Sequence, residues 1–361
     1  MQEIKEEKNI KKAEQKSNID KTVKLFFLLL TSVCAAVIIV VMAFIIYKGV
    51  MPFIKSYTEN GNTGTASLSY FLTGLRFQNG FDSTTGQFLY GVGFLVVNTL
   101  FLNLLAAIIS VPTSILTSLF IARIAPSFLA KIIQSGIDLL AAIPSVIYGV
   151  FGIGVIVPMV KSIARNVFQI SSASGISLLS GAIILALMSI PTMISVSVTS
   201  LKSVNEEMVK GSLALGASKT QTNFKICLRS AKSGIFAGII LGIGRALGEA
   251  TAISMVCGSP TYGITTNIFN PTVTLTSQML LALGEAVTDS LNYDIRFSAG
   301  IVLMLIILIS NLILNDVKDH VSAINKKPLM ITRFVLYTSN LFKKLSQKFK
   351  GLKDSSNELI R

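Results

Sequence analysis

The chain has 361 residues, 51% of them hydrophobic and only 14% charged, with a mean hydropathy of +0.67. A soluble domain carries about 25% charged residues, so this composition points to a polytopic membrane protein. The net charge of +14 would suggest nucleic acid for a soluble chain, but in a membrane protein basic residues collect in loops on one face and set orientation, so no nucleic-acid partner is expected.

In chain order, residues 1–24 form a polar, basic tail, and residues 25–47 a first apolar run too long for a signal h-region, read as a retained anchor. Five further runs have the roughly 20 helical residues needed to cross a bilayer: 93–121, 132–160, 176–198, 234–257 and 297–314. The second and third spans are overlong and contain Pro112 and Pro144, which predicts tilted or kinked single helices. Lys and Arg divide 25 to 6 between alternate loops, with Arg245 left inside a span. The basic loops belong in the cytoplasm, so both termini are expected there, in a multi-pass membrane protein.

Segment 48–92 is then extracytoplasmic, and the aromatics of its stretch 67–77 suit the membrane interface. Residues 93–315 form a five-helix core that includes a cytoplasmic loop, 202–232. The tail 316–361 contains LFKKLSQKFKGL, with Leu341, Leu345, Phe349 and Leu352 at helical spacing; it reads equally as a basic amphipathic helix on an anionic membrane or as a solvated tail. Cys34, Cys227 and Cys257 show no CxxC spacing and His320 is the single histidine, so no disulfide framework, metal site or cofactor is expected.

The loop between spans four and five carries Val209, Leu213, Gly216 and Ala217 on one helical face, a break at Gly216-Ala217, then Phe224, Ile226 and Leu228 among basic residues. Two short helices about a turn fit this pattern, a knob suited to a groove on another subunit. A P-loop reading of residues 211–220 fails, because two residues intervene before Lys219-Thr220 and no strand precedes them.

GRALGEA, residues 244–250, places Arg245 and Glu249 inside the fifth span, where each charge costs about 2.5–3.5 kcal/mol on insertion scales. Four residues apart on a helix, the two can pair. One reading is a buried ion pair that locks the helix to a neighbour. The other puts Arg245 on a translocation pathway, since intramembrane ionisable residues mark substrate routes and a guanidinium suits phosphate oxygens, with Glu249 holding it. Gly238 and Gly242 continue one small-residue stripe, and Gly244 and Gly248 make a second, which allows close helix packing on two sides. Asp138 in the third span is expected near the membrane edge beside a basic residue; Pro144, and Ser189 with Pro191 and Thr192, mark expected distortions of the third and fourth spans.

The loop resembles the EAA loop of ABC-importer membrane subunits, with Gly216, Ile226 and Leu228 at the family's spacings. Together with IPSVIYGVFG (143–152), GRALGEA and TLTSQMLLALGEA (274–286), it makes residues 71–314 similar to phosphate-specific permeases of the PstC type. Two positions depart from the pattern: Lys210, followed by Gly211-Ser212, replaces the glutamate, and Arg229 replaces the proline.

The resemblance implies an all-α membrane protein of six transmembrane helices in the type I ABC importer (MetI-like) permease fold. It implies no catalytic residues, and phosphate as the substrate. The partners would be a second, PstA-like permease, two ATP-binding subunits and an extracytoplasmic phosphate-binding protein. The pathway would include Arg245, Glu249, Ser189 and Thr192. Coupling to the ATPase would run through Lys210, Gly211, Leu213, Gly216, Ala217, Ile226 and Leu228, and helix packing through Gly238, Gly242, Gly244, Gly248 and Pro144. Permeation of another oxyanion such as sulfate or molybdate, or of a small solute, is the alternative; a secondary transporter or membrane scaffold is a third reading.

Overall fold

The computed structural model describes residues 2–322 apart from 60, 84, 172, 261–262 and 282–285, with side chains from 23 to 320. The stretch 341–352 and most of the second Gly-Glu-Ala, at 284–286, therefore lie outside the described residues.

Helix α1 (Gln2–Ile54) is followed by two antiparallel hairpins, β1 (Tyr57–Glu59) with β2 (Asn62–Gly64) and β3 (Phe77–Asp82) with β4 (Gln87–Tyr90), separated by the short α2 (Leu68–Thr73). Next come α3 (Gly93–Leu119), α4 (Ser127–Ala142), α5 (Ser145–Phe151), α6 (Val157–Asn166) and α7 (Leu178–Lys202). The loop region holds α8 (Glu206–Ala214), α9 (Lys219–Gln221) and α10 (Leu228–Ser230); α11 (Lys232–Leu247), α12 (Thr251–Val256), α13 (Leu275–Leu280) and α14 (Leu291–Ser322) are the last elements of the described residues. Short π-helical turns extend α3, join α5 to α6 and join α9 to α10.

Among the described residues, five helical stretches are long and apolar enough to cross a membrane: Val23–Ile54, Gly93–Ile124, Ser145–Asn166, Leu178–Lys202 and Leu291–His320. The pair Lys219–Ser230 and Lys232–Leu247, bent by 67°, makes a sixth when counted as one span. The most buried of them, α7, packs on α3, α11 and α4. Its small residues permit this: a Cβ at Gly181 would collide with the Cys257 sulfur, and Ser180, Ser189 and Ser197 are buried. By contrast α1 packs mainly on α14, where Ser298 Oγ donates to Gly49 O at 2.6 Å and a Cβ at Gly49 would come within 2.8 Å of the Phe297 carbonyl oxygen.

Several sequence expectations change. The third span is not one kinked helix: Ile143 and Pro144 are extended, so α4 ends at Ala142 and the span is Ser145–Asn166. Proline removes the amide that would have continued the helix, and Tyr148 Oη bridges the gap by donating to Leu140 O at 2.9 Å. Pro191, in contrast, leaves α7 continuous, because packing on both sides holds the helix through the missing hydrogen bond. Asp138 accepts from Gln134 Nε2 at 3.0 Å rather than meeting a basic residue. Of the aromatics of 67–77, Phe71 and Phe77 are buried with Tyr57, Tyr90 and Phe94 in a core beneath the hairpins, which leaves Tyr70, half-buried, as the one that can reach an interface. The last span begins six residues earlier than expected, at Leu291, and so contains Arg296.

Candidate functional site

The span carrying GRALGEA is a broken helix. Sixteen residues of α11 rise about 24 Å, short of the roughly 30 Å hydrocarbon core, before the helix stops at Leu247. The Gly248 and Glu249 amides bond back to the Arg245 and Ala246 carbonyls, both at 3.2 Å, tightening the final turn. Glu249 then turns outward as a cap: its Oε1 accepts from the Ala252 amide at 3.2 Å and so starts α12. Its own carbonyl accepts from Thr276 Oγ1 at 2.8 Å, which fastens α13 to the break. A non-helical backbone at membrane depth survives only against protein or a water-lined cavity.

The expected intrahelical pair is therefore corrected. Arg245 and Glu249 do not form an ion pair, because the helix ends between them; the carboxylate serves the next helix instead. Arg245 is exposed on the isolated chain and its Nη1 donates to Thr192 Oγ1 on α7 at 3.2 Å. The structure thus brings Arg245 and Thr192 together. Ser189 is not part of this group: it is buried and its hydroxyl donates to Leu185 O at 2.7 Å, within its own helix.

The glycines fix how α11 sits against α7. A Cβ at Gly238 would lie 3.1 Å from Met193 O, and one at Gly242 would lie 2.5 Å from Met193 Cγ and Cε. The second stripe is looser: a Cβ at Gly244 would meet Asn311 Oδ1 of α14 at 3.5 Å, and one at Gly248 only the Arg245 carbonyl. Close approach therefore operates on one side of α11.

One residue of this region escaped the sequence reading. Arg296 is 5% exposed, and its Nη1 donates to the carbonyls of Gln278 and Leu281 at the end of α13, while Nη2 donates to Asn292 Oδ1 at 3.1 Å. With Gly248, Ala250 and Thr276 it lines a cleft of about 290 Å³ beside the helix break. Counted as a loop residue, it gave no sign of burial; the available signal was its place one residue ahead of a long apolar run. Near it, Lys48 pairs with Asp289 at 2.5 Å and Asp294 at 3.5 Å, and Tyr57 Oη donates to Asp294 at 2.6 Å. In the hairpin core, burial pushes the Glu59 carboxyl above its ordinary range, against the stabilising hydrogen bond from Tyr90. Burial also raises the Tyr90 and Tyr57 hydroxyls, helped by Glu59 and Asp294 respectively.

At the other end, the loop folds as two short helices about a turn. Asn205 caps α8 by accepting from the Glu207 amide at 2.8 Å. Gly216 ends it with φ +83°, and the Gly216 and Ala217 amides bond back to Leu213 O and Ser212 O. Ser218 and Gln221 form a reciprocal capping box that starts α9, and Ser212 Oγ lies 3.0 Å from Thr222 Oγ1, tying the two halves. Val209 and Leu228 pack on a buried cluster of Leu119, Leu201, Cys227 and Ile235. Lys210, Gly211, Leu213 and Gly216 are exposed, Ala217 and Ile226 half-buried, and Leu215 is 90% exposed. Lys210 pairs only loosely with Glu206, at 3.9 Å. Among the described residues no group of three or more His, Cys, Asp or Glu could hold a metal ion.

The chain thus combines a helical bundle, a break in the helix that carries GRALGEA and an exposed helix–turn–helix loop. Residues 114–322 match the family described as "Binding-protein-dependent transport system inner membrane component". The chain belongs to that family. It is 33% identical over 277 residues to the probable ABC transporter permease protein YqgH of Bacillus subtilis, covering 76% of this chain and 84% of the relative. It is 31% identical over 248 residues to the phosphate transport system permease protein PstC 1 of Mycobacterium tuberculosis, covering 64% and 73%. Among solved structures, a bacterial ABC transporter involved in the import of the acidic polysaccharide alginate superposes with a TM-score of 0.57 at 16% identity, covering 85% of this chain and 99% of that one. That likeness carries the fold alone.

Proposed function

We propose that the chain is the membrane permease subunit of an ATP-driven importer of inorganic phosphate, forming half of the translocation pathway. The observation that carries the reading is Arg245: a guanidinium at membrane depth, exposed on the isolated chain and held by the neutral Thr192 hydroxyl rather than by Glu249. A guanidinium left with donors to spare at a helix break is suited to bidentate contact with a tetrahedral oxyanion. The phosphate permeases among its relatives support the choice of ion.

The second half of the pathway is a related, PstA-like permease, and an extracytoplasmic phosphate-binding protein delivers the ion. Both termini and loop 202–232 face the cytoplasm, in line with the excess of basic residues on that side; the hairpin segment faces outward. Two ATPase subunits dock below, one of them on Lys210, Gly211, Leu213, Gly216 and Ala217, with Ile226 and Leu228 anchoring the loop. Transport is alternating access, in which ATP binding and hydrolysis bias two packings of the bundle. The α11–α12 break is the element that re-aims Arg245 between them. Uptake of labelled phosphate, sulfate and molybdate into vesicles holding the assembled complex tests the assignment; transport indifferent to phosphate would overturn it in favour of another oxyanion.

A further inference from the structure

Where the loop region meets α11, a cleft of about 570 Å³ opens beside the 67° bend. Apolar Phe224, Leu228 and Ile235 line it together with the cations Lys225, Arg229 and Lys232. Among the described residues no carboxylate lines it. Lys225 and Arg229 are exposed, and among the described residues neither enters an ion pair. The cations end where the apolar run from Gly234 begins, the place in sequence where a span leaves the bilayer. Arg229 is the residue that replaces the usual proline of the loop pattern, which gives this chain a cation among the residues that line the cleft.

We infer that this cleft is a binding site for an anionic phospholipid, with the headgroup phosphate on Lys225 and Arg229 and an acyl chain along Phe224, Leu228 and Ile235. Basic pockets between membrane helices take anionic headgroups, and juxtamembrane cations each contribute about a fivefold gain, roughly 1 kcal/mol at 1.4 kcal/mol per decade. The site requires only that the bend lie at a bilayer surface. It is therefore independent of phosphate transport and of which ATPase docks on the loop. A bound lipid there would brace the bend from which α11 enters the membrane.

The test is native mass spectrometry of the full-length chain, purified with its partner subunits and titrated with phosphatidylglycerol or phosphatidylcholine. The unaltered complex retains phosphatidylglycerol in preference to phosphatidylcholine. Lys225→Gln with Arg229→Gln weakens that retention about 25-fold, whereas Lys131→Gln with Lys202→Gln, which removes the same charge outside the cleft, leaves it unchanged. Equal retention of the two lipids, or equal loss in both double variants, would overturn the inference. So would loss of the ATPase subunits with lipid retention intact, which would make the occupant an acidic protein surface. Matching gel-filtration profiles and helical content confirm that each variant is folded.

Discussion

Replacing Gly216 with alanine separates backbone conformation from packing at the loop turn. Gly216 sits at φ +83° and a Cβ added there meets no atom within 4 Å. The penalty is therefore purely conformational, about 1–2 kcal/mol for a non-glycine residue in the left-handed region. That is a factor of roughly 5–30 in the population of the formed turn. Because the turn sets α9 against α8, and Ser212 against Thr222, its loss disorders the proposed docking surface although the added methyl group itself meets no atom. Asparagine tolerates the left-handed region, so Gly216→Asn recovers most of the loss. Co-purification of the ATPase subunits, with hydrogen exchange of residues 206–221 as the structural readout, distinguishes the variants. Alanine behaving like the unaltered chain, or asparagine behaving as badly as alanine, would refute the reasoning.

Three other outcomes follow from the same geometry. Gly242→Ala forces a Cβ to within 2.5 Å of Met193 side-chain atoms and lowers stability by about 1–3 kcal/mol; adding Met193→Ala gives a double variant less destabilised than the sum, read by thermal unfolding in detergent. Arg296→Met leaves the carbonyls of Gln278 and Leu281 without their buried donor and costs about 1–3 kcal/mol for each such acceptor, measured in the same way. Glu59 has its folded pKa raised by burial; the unfolded chain therefore loses its proton first, so stability of the hairpin segment falls as pH climbs from the ordinary value of 4.5 through the folded value, then levels off. Hydrogen exchange of residues 57–92 across that window shows the slope, and Glu59→Gln abolishes it.

Much of the fold was legible because a bilayer demands long apolar runs, and the runs at 25–47, 93–121 and 176–198 each match a membrane-spanning helix. The departures share a physical cause: local sequence does not say whether packing will carry a helix through a breaker. Pro191 and Pro144 look alike in sequence, yet α7 is enclosed by α3 and α11 and continues, while the exposed α4 stops. The break at Gly248–Ala250 was hidden because Gly, Glu and Ala at those positions also fit a glycine-rich helix, and only the Glu249 cap and the Thr276 bond reveal it. The hairpins of 57–90 escaped notice because their strands are three to six residues long and draw their stability from the aromatic core below. At the candidate site, proximity of Arg245 to Thr192 depends on the crossing of α7 and α11, which no spacing within either helix encodes. Gly216, by contrast, was readable from the loop itself, since a turn between two short helices needs a residue that accepts positive φ.

The most direct test of the account is phosphate uptake by vesicles carrying the assembled complex with Arg245→Lys. Lysine keeps the charge but loses the planar fork, and a charge-assisted hydrogen bond contributes about 1.5–3 kcal/mol. Uptake is expected to fall roughly 10- to 100-fold while the complex assembles and binds its ATPase subunits normally. Unchanged uptake would contradict the claim that Arg245 contacts the ion and would return it to a purely structural role beside Thr192.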